Sequence, residues 1–228
     1  MRIGGLQKNT LIDYPAKLAC TIFTMGCNFR CPFCYSGDLV FEKGGIIPEE
    51  TILSFLKERK DFLEGVVICG GEPLMQPDLE SFISKIKDMG YLVKLDTNGS
   101  NSVGLKNLIE KKLIDYVAMD IKNSKDKYYL TAGTEFNIEE VEKSINILKD
   151  GDIDFEFRTT VVPGFHEKRD FSLIAEWIGG EKINYFLQGF KAGGNIDASL
   201  NNSLPYPDEE LIKIKESIAP YFNSCRIR

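Results

Sequence analysis

Six short apolar runs alternate with amphipathic helical segments along this chain, and that alternation limits the fold more than any other feature. The apolar runs are Leu18 to Thr24, Val66 to Cys69, Tyr91 to Asp96, Ile114 to Ile121, Ile153 to Val162 and Asn184 to Leu187. The first helical segment, Pro48 to Leu63, turns Ile52, Phe55, Leu56 and Phe62 inward. The next, Pro77 to Met89, sets Leu79, Phe82, Ile83 and Ile86 on one face and stops at Gly90. Val103 to Leu113 follows, and then a helix opened by a capping box of Asn137 and Glu140 and closed at Gly151. Asp170 to Ile178 and Asp208 to Ile218 complete the set, with Cys225 in a tail. Six β–α units without a break in composition predict one α/β domain over residues 1–228, built on a parallel sheet. A closed barrel needs eight units, so the expected architecture is an open, partial (β/α)6 barrel.

Composition narrows the setting. The chain is 228 residues long and 43% hydrophobic, enough for a packed core. Its net charge of −6 gives no general electrostatic footprint for nucleic acid. No apolar run approaches the roughly 20 residues that span a bilayer, and no secretory leader is visible. The expectation is a cytoplasmic protein with neither nucleic-acid nor membrane partners.

Chemistry-bearing residues gather where a parallel sheet places ligands, at the C-terminal ends of its strands. The first run leads into a loop carrying Cys27, Cys31 and Cys34. The second ends in Gly70-Gly71-Glu72-Pro73, and the third in Asp96-Thr97-Asn98-Gly99. The fourth ends at Asp120-Ile121-Lys122, the fifth carries Arg158, and the sixth ends at Gln188. Charges converging in a cleft mark a site, although isolated strand-end charges are usually just solvated. Arg158 has a structural alternative, as partner to Glu156 or to a strand-end aspartate. His166, the single histidine, reads as a loop residue, and Cys20 and Cys69 as small buried hydrophobes.

Three thiolates on one short loop suit three irons of a 4Fe–4S cube, with the fourth iron left open. A structural zinc site is the alternative, but it takes four protein ligands, and the chain offers no second cysteine pair. The stretch from Lys191 to Pro207, with its Gly193-Gly194 and Asn201-Asn202 pairs, is long for a connecting loop and reads as a lid or binding element.

Asp13-Tyr14-Pro15, the Cys27/Cys31/Cys34 loop with Phe33 before its last cysteine, and Gly70-Gly71-Glu72-Pro73 together resemble the radical S-adenosylmethionine superfamily. Within it the chain is similar to the activating proteins of glycyl radical enzymes, most of all those serving anaerobic ribonucleoside-triphosphate reductase. It also resembles pyruvate formate-lyase activators through Leu95 to Gly99, Asp120 to Lys122 and Arg158 to Gly164. The resemblance implies a 4Fe–4S cluster on the three cysteines, and S-adenosylmethionine chelated at its open iron. Phe33 would offer its backbone near the adenine, Gly71 and Glu72 would face the methionyl amine, and Lys122 the carboxylate. Gly70, Pro73, Asn98, Arg158 and Gln188 complete the expected cofactor contacts, and Asp96, Thr97 and Asp120 would hold a monovalent cation. One departure stands out: where formate-lyase activators carry a histidine near the ribose, this chain has Phe190. The implied partners are a glycyl radical enzyme as protein substrate and a flavodoxin- or ferredoxin-like electron donor. Two other classes stay open, a small-molecule radical enzyme such as a deazapurine synthase and a non-catalytic iron–sulfur protein.

Overall fold

The computed structural model describes residues 1–228. Its strands are β1 (Ile3–Thr10), β2 (Ala19–Thr24), β3 (Gly65–Gly70), β4 (Leu92–Thr97), β5 (Tyr116–Asp120), β6 (Asp154–Val161), β7 (Gly180–Gly189) and β8 (Phe222–Ile227). Its helices are α1 (Gly37–Val40), α2 (Glu49–Glu58), α3 (Leu79–Asp88), α4 (Ser102–Glu110), α5 (Tyr128–Ala132), α6 (Ile138–Asp150), α7 (Lys168–Ile178) and α8 (Asp208–Ile218). The strands pair in chain order from β1 to β8, which leaves the sheet open. The β2–β3, β3–β4, β6–β7 and β7–β8 pairs are parallel, and β1 runs antiparallel to β2. Strands β2 to β7 are the six expected runs, so this is the expected α/β partial barrel with one strand added at each edge. No helix is long and apolar enough to cross a membrane.

Two compact units divide the chain. The first comprises Met1–Asn28, Asp38–Thr97 and Asn101–Ala118. Ile22, Val66, Ile68, Val93 and Leu95 on its strands are fully buried, as are Ile52 and Leu56 of α2 and Phe82, Ile83 and Ile86 of α3. The second unit comprises Phe29–Gly37, Asn98–Ser100 and Met119–Arg228. Its core takes Phe157 and Val161 of β6, Val141 and Leu148 of α6, and Phe171, Ile174 and Ile178 of α7.

Three local expectations need correction. Helix α2 ends at Glu58 rather than at Leu63, and Phe62 is exposed instead of inward. The positions three and four beyond Leu56 are Arg59 and Lys60, so the next turn would have no apolar side chain to bury there. Asn137 does cap α6, but its side chain accepts from the N–H of Glu139, and Glu140 pairs with Lys143. A box-type contact opens α7 instead, where the N–H of Glu167 donates to Asp170. Finally, Cys225 lies in β8, paired with Tyr185 of β7, rather than in a tail.

Candidate active site

In the first unit, β2 and β3 bring two loops together. Gly70 has φ +110°, and a Cβ there would lie 2.5 Å from the backbone of Thr24. Gly71 donates its N–H to Thr24 O at 2.9 Å, and Glu72 donates its own to Gly26 O at 2.8 Å. A Cβ on Gly71 would sit 1.9 Å from that same Gly26 oxygen. Gly70 is thus required by its positive φ and the Thr24 backbone, and Gly71 by the approach of the Gly26 backbone. Glu72 is buried and accepts from Leu74 N at 3.1 Å, capping the short turn that Pro73 opens. Its Oε1 also accepts from the Thr97 hydroxyl at 2.7 Å, which ties the end of β3 to the end of β4. Asp96 pairs with the buried Lys94.

In the second unit, the charged residues of β5 and β6 form one group. Asp120 accepts from Lys122 Nζ at 2.9 Å and from Arg158 Nε at 3.0 Å. Burial would raise the Asp120 carboxyl, but the ammonium and the guanidinium outweigh it and hold it down to about 2. Burial likewise acts to lower Lys122, and the Asp120 carboxylate more than reverses this, so the lysine stays protonated. Arg158 therefore pairs with the strand-end aspartate. Glu156 has Arg228 instead, at 2.5 and 2.9 Å. Burial pushes the Cys31 thiol up to about 11, against the pull of the nearby Lys122.

His166 is no simple loop residue. It is buried, its Nδ1 accepts from the Val162 N–H at 3.1 Å, and its Nε2 lies 2.8 Å from Lys122 O. A carbonyl can only accept, so Nε2 carries the proton and donates to it. The ring thereby fixes the backbone of Lys122, a role that no sequence motif announced.

The remaining expected residues fall as follows. Phe33 is buried, packs edge-on to Phe165 at 6.3 Å, and has its carbonyl taken by Asn195 Nδ2 at 2.8 Å. Asn98 accepts from Ser100 N in a tight turn. Gln188 is the penultimate residue of β7, registered with Thr160, and Phe190 beyond it is buried. Asp96, Thr97 and Asp120, expected around a monovalent cation, are engaged by Lys94, Glu72 and Lys122 respectively.

All six cysteines are free thiols, and no three His, Cys, Asp or Glu side chains converge tightly enough for one metal ion. A single zinc ion needs such convergence. A cubane takes one thiolate at each of its separate irons, so three free thiols on one loop suit it.

An open sheet whose first parallel strand feeds a three-cysteine loop and whose second ends in a Gly-Gly-Glu turn defines a class. Residues 21–178 match the Radical SAM superfamily, and the chain belongs to it. Membership implies a 4Fe–4S cluster and S-adenosylmethionine, and makes the protein a radical S-adenosylmethionine enzyme. Among its relatives is the "Putative glycyl-radical enzyme activating enzyme MJ1227" of Methanocaldococcus jannaschii, 34% identical over 99% of this chain and 95% of that one. A 7-carboxy-7-deazaguanine synthase of Thermoplasma acidophilum is 32% identical over 66% of this chain and 70% of its own. In structure, SuiB of Streptococcus suis bound to S-adenosylmethionine matches with a TM-score of 0.71 at 15% identity. That match covers 90% of this chain but only 48% of SuiB, about half its length, and speaks to fold alone.

Proposed function

We propose that this protein activates a glycyl radical enzyme by removing a hydrogen atom from a glycine Cα of that partner polypeptide. The observation that carries this reading is the nearly end-to-end match to the M. jannaschii protein named for such an activity. The partner we favour is an anaerobic ribonucleoside-triphosphate reductase, with a flavodoxin- or ferredoxin-like protein as electron donor. The net charge of −6 accords with a protein substrate rather than a polyanion such as RNA.

Cys27, Cys31 and Cys34 would hold the cluster. When bound, it supplies the electron that cleaves S-adenosylmethionine to methionine and a 5′-deoxyadenosyl radical, the hydrogen acceptor. The protein's own part is placement. Glu72, fixed by Thr97 and by the Leu74 N–H, presents a carboxylate to the cofactor's amine. Lys122 presents an ammonium to its carboxylate, while Asp120, Arg158 and His166 hold that lysine in place. A monovalent cation at Asp96 would compete with Lys94, and one at Asp120 with Lys122, so in our reading each lysine supplies the positive charge beside its own aspartate.

The test mixes reduced enzyme, S-adenosylmethionine and a candidate reductase, and looks for a glycyl doublet by electron paramagnetic resonance. The doublet should vanish when the partner's glycine is replaced by alanine. The deazaguanine synthase relative supports a second reading, a small-molecule radical enzyme. Turnover of a free small molecule, with no radical on any polypeptide, would decide for it.

A further inference from the structure

Three consecutive carbonyls of the cysteine loop accept hydrogen bonds from three consecutive residues far along the chain. Pro32 O accepts from Asp197 N at 2.9 Å, and Cys34 O from Ile196 N at 2.9 Å. Between them, Phe33 O accepts from the side-chain amide of Asn195 at 2.8 Å. These donors belong to the stretch from Lys191 to Pro207 that the sequence marks as a lid or binding element. Here its first half is strapped onto the cysteine loop.

Asn195 is the pin of this strap. It is only 7% exposed, and both ends of its amide are used. Oδ1 accepts from Gly193 N at 2.9 Å, while Nδ2 reaches Lys191 O at 3.2 Å as well as Phe33 O. Its own N–H donates to the side chain of Asn201 at 2.9 Å. Gly193 and Gly194, with φ of +102° and +70°, permit the turn that brings the amide inward. Asp197 then caps the following short helix through Ser199 N. Below the strap, the N–H of Cys34 closes a turn on Cys31 O at 2.9 Å.

We propose that Asn195 is a positioning residue: by donating to Phe33 O between two backbone bonds, it sets the Pro32–Cys34 backbone against which S-adenosylmethionine binds. The proposal rests on the cofactor reading above. The side chain acts through the loop, and it is the donor end of the amide that matters. The acceptor end serves only the strap's own turn.

Two substitutions separate those ends. Asn195→Asp keeps an acceptor for Gly193 N but cannot donate to Phe33 O when ionised. Asn195→Ala removes both. In anaerobically reconstituted enzyme, both variants should bind S-adenosylmethionine about 3- to 10-fold more weakly in equilibrium dialysis, as loss of the buried hydrogen bond to Phe33 O implies. Iron content should remain at the wild-type level. An Asp variant that binds like wild type, with or without a defective Ala variant, would overturn the proposal.

A second measurement uses the unaltered protein, in case the variants fold poorly. The Ile196 and Asp197 amides should be protected from hydrogen exchange in cluster-free chain, and more so in holoenzyme with S-adenosylmethionine. Rapid exchange at both positions in every form would also overturn the proposal. If wild-type holoenzyme binds no S-adenosylmethionine while these amides stay protected, the cofactor reading fails and the strap stands.

Discussion

His166 shows how one residue's role depends on what the fold buries around it. It is the chain's one histidine, held between the Val162 N–H and the Lys122 carbonyl. Burial lowers its pKa from the usual 6.5, and protonating Nδ1 would set one N–H against another. The sign of the effect follows. A depressed pKa means that folding favours the neutral ring, so its contribution is fully present above pH 6.5 and is lost as pH falls below that value. With no second histidine, a single imidazole resonance should titrate below 6.5 in the folded protein. The fall in unfolding midpoint between pH 7 and pH 5 should be smaller in His166→Gln. An imidazole that titrates above 6.5 would contradict the assignment. None of this was legible beforehand, because Pro163-Gly164 and a lone histidine look like an ordinary surface loop.

At the scale of elements, legibility followed periodicity. Helix α3 repeats its apolar residues at three- and four-residue spacing, and all four buried positions were readable from that pattern. Strands β2, β3 and β5 were readable because buried parallel strands are largely apolar, whereas β6 and β7 mix charged residues with the apolar ones and showed only through their apolar cores. Strand β1 reads Ile-Gly-Gly-Leu-Gln-Lys-Asn-Thr, and β8 reads Phe-Asn-Ser-Cys-Arg-Ile. As sheet edges they are half-exposed and mix polar residues and glycine, so neither announces itself. The turn after β3 was legible as a motif, but its physical cause was not. Gly71 is fixed by the Gly26 carbonyl, which belongs to a different loop. A Gly71→Ala substitution must push the Gly26-Cys27 backbone away. Its expected cost is at least about 1–3 kcal/mol of stability, as for other overpacked sites. Gly90→Ala meets no neighbouring atom and has only its positive φ to resist it, so it should cost less. Denaturant midpoints of the two variants measure the difference, and equal values would remove the close-approach argument.

At the scale of the whole chain, positions that touch are often far apart in sequence, and this separation limited what could be read. The candidate site was legible as strand-end residue types. Of the long-range pairings, Arg158 with a strand-end aspartate was among the alternatives the sequence offered, but Asn195 with Phe33 and Arg228 with Glu156 were not. The last of these is the larger commitment. Glu156 is fully buried on β6, and Arg228 grips it through both guanidinium nitrogens. The same guanidinium stacks 3.6 Å over Phe186, while the backbone of Arg228 donates to Leu187 O at 2.9 Å. One residue past β8 therefore ties together β6, β7 and β8, where the sequence had suggested a tail. Arg228→Ala would leave a buried carboxylate without its cation. Breaking a fully buried pair costs about 3–5 kcal/mol, but Arg228 is 35% exposed, so about 2 kcal/mol is the better figure here. Arg228→Lys keeps the charge but loses the paired contact and the stacking, and should fall between alanine and wild type. The loss in Arg228→Ala should shrink when Glu156 is also replaced by Gln, because the uncompensated charge is then gone. Unfolding free energies of the four proteins in a double-mutant cycle test this. Purely additive losses would place the contribution of Arg228 in its packing on Phe186 rather than in the ion pair.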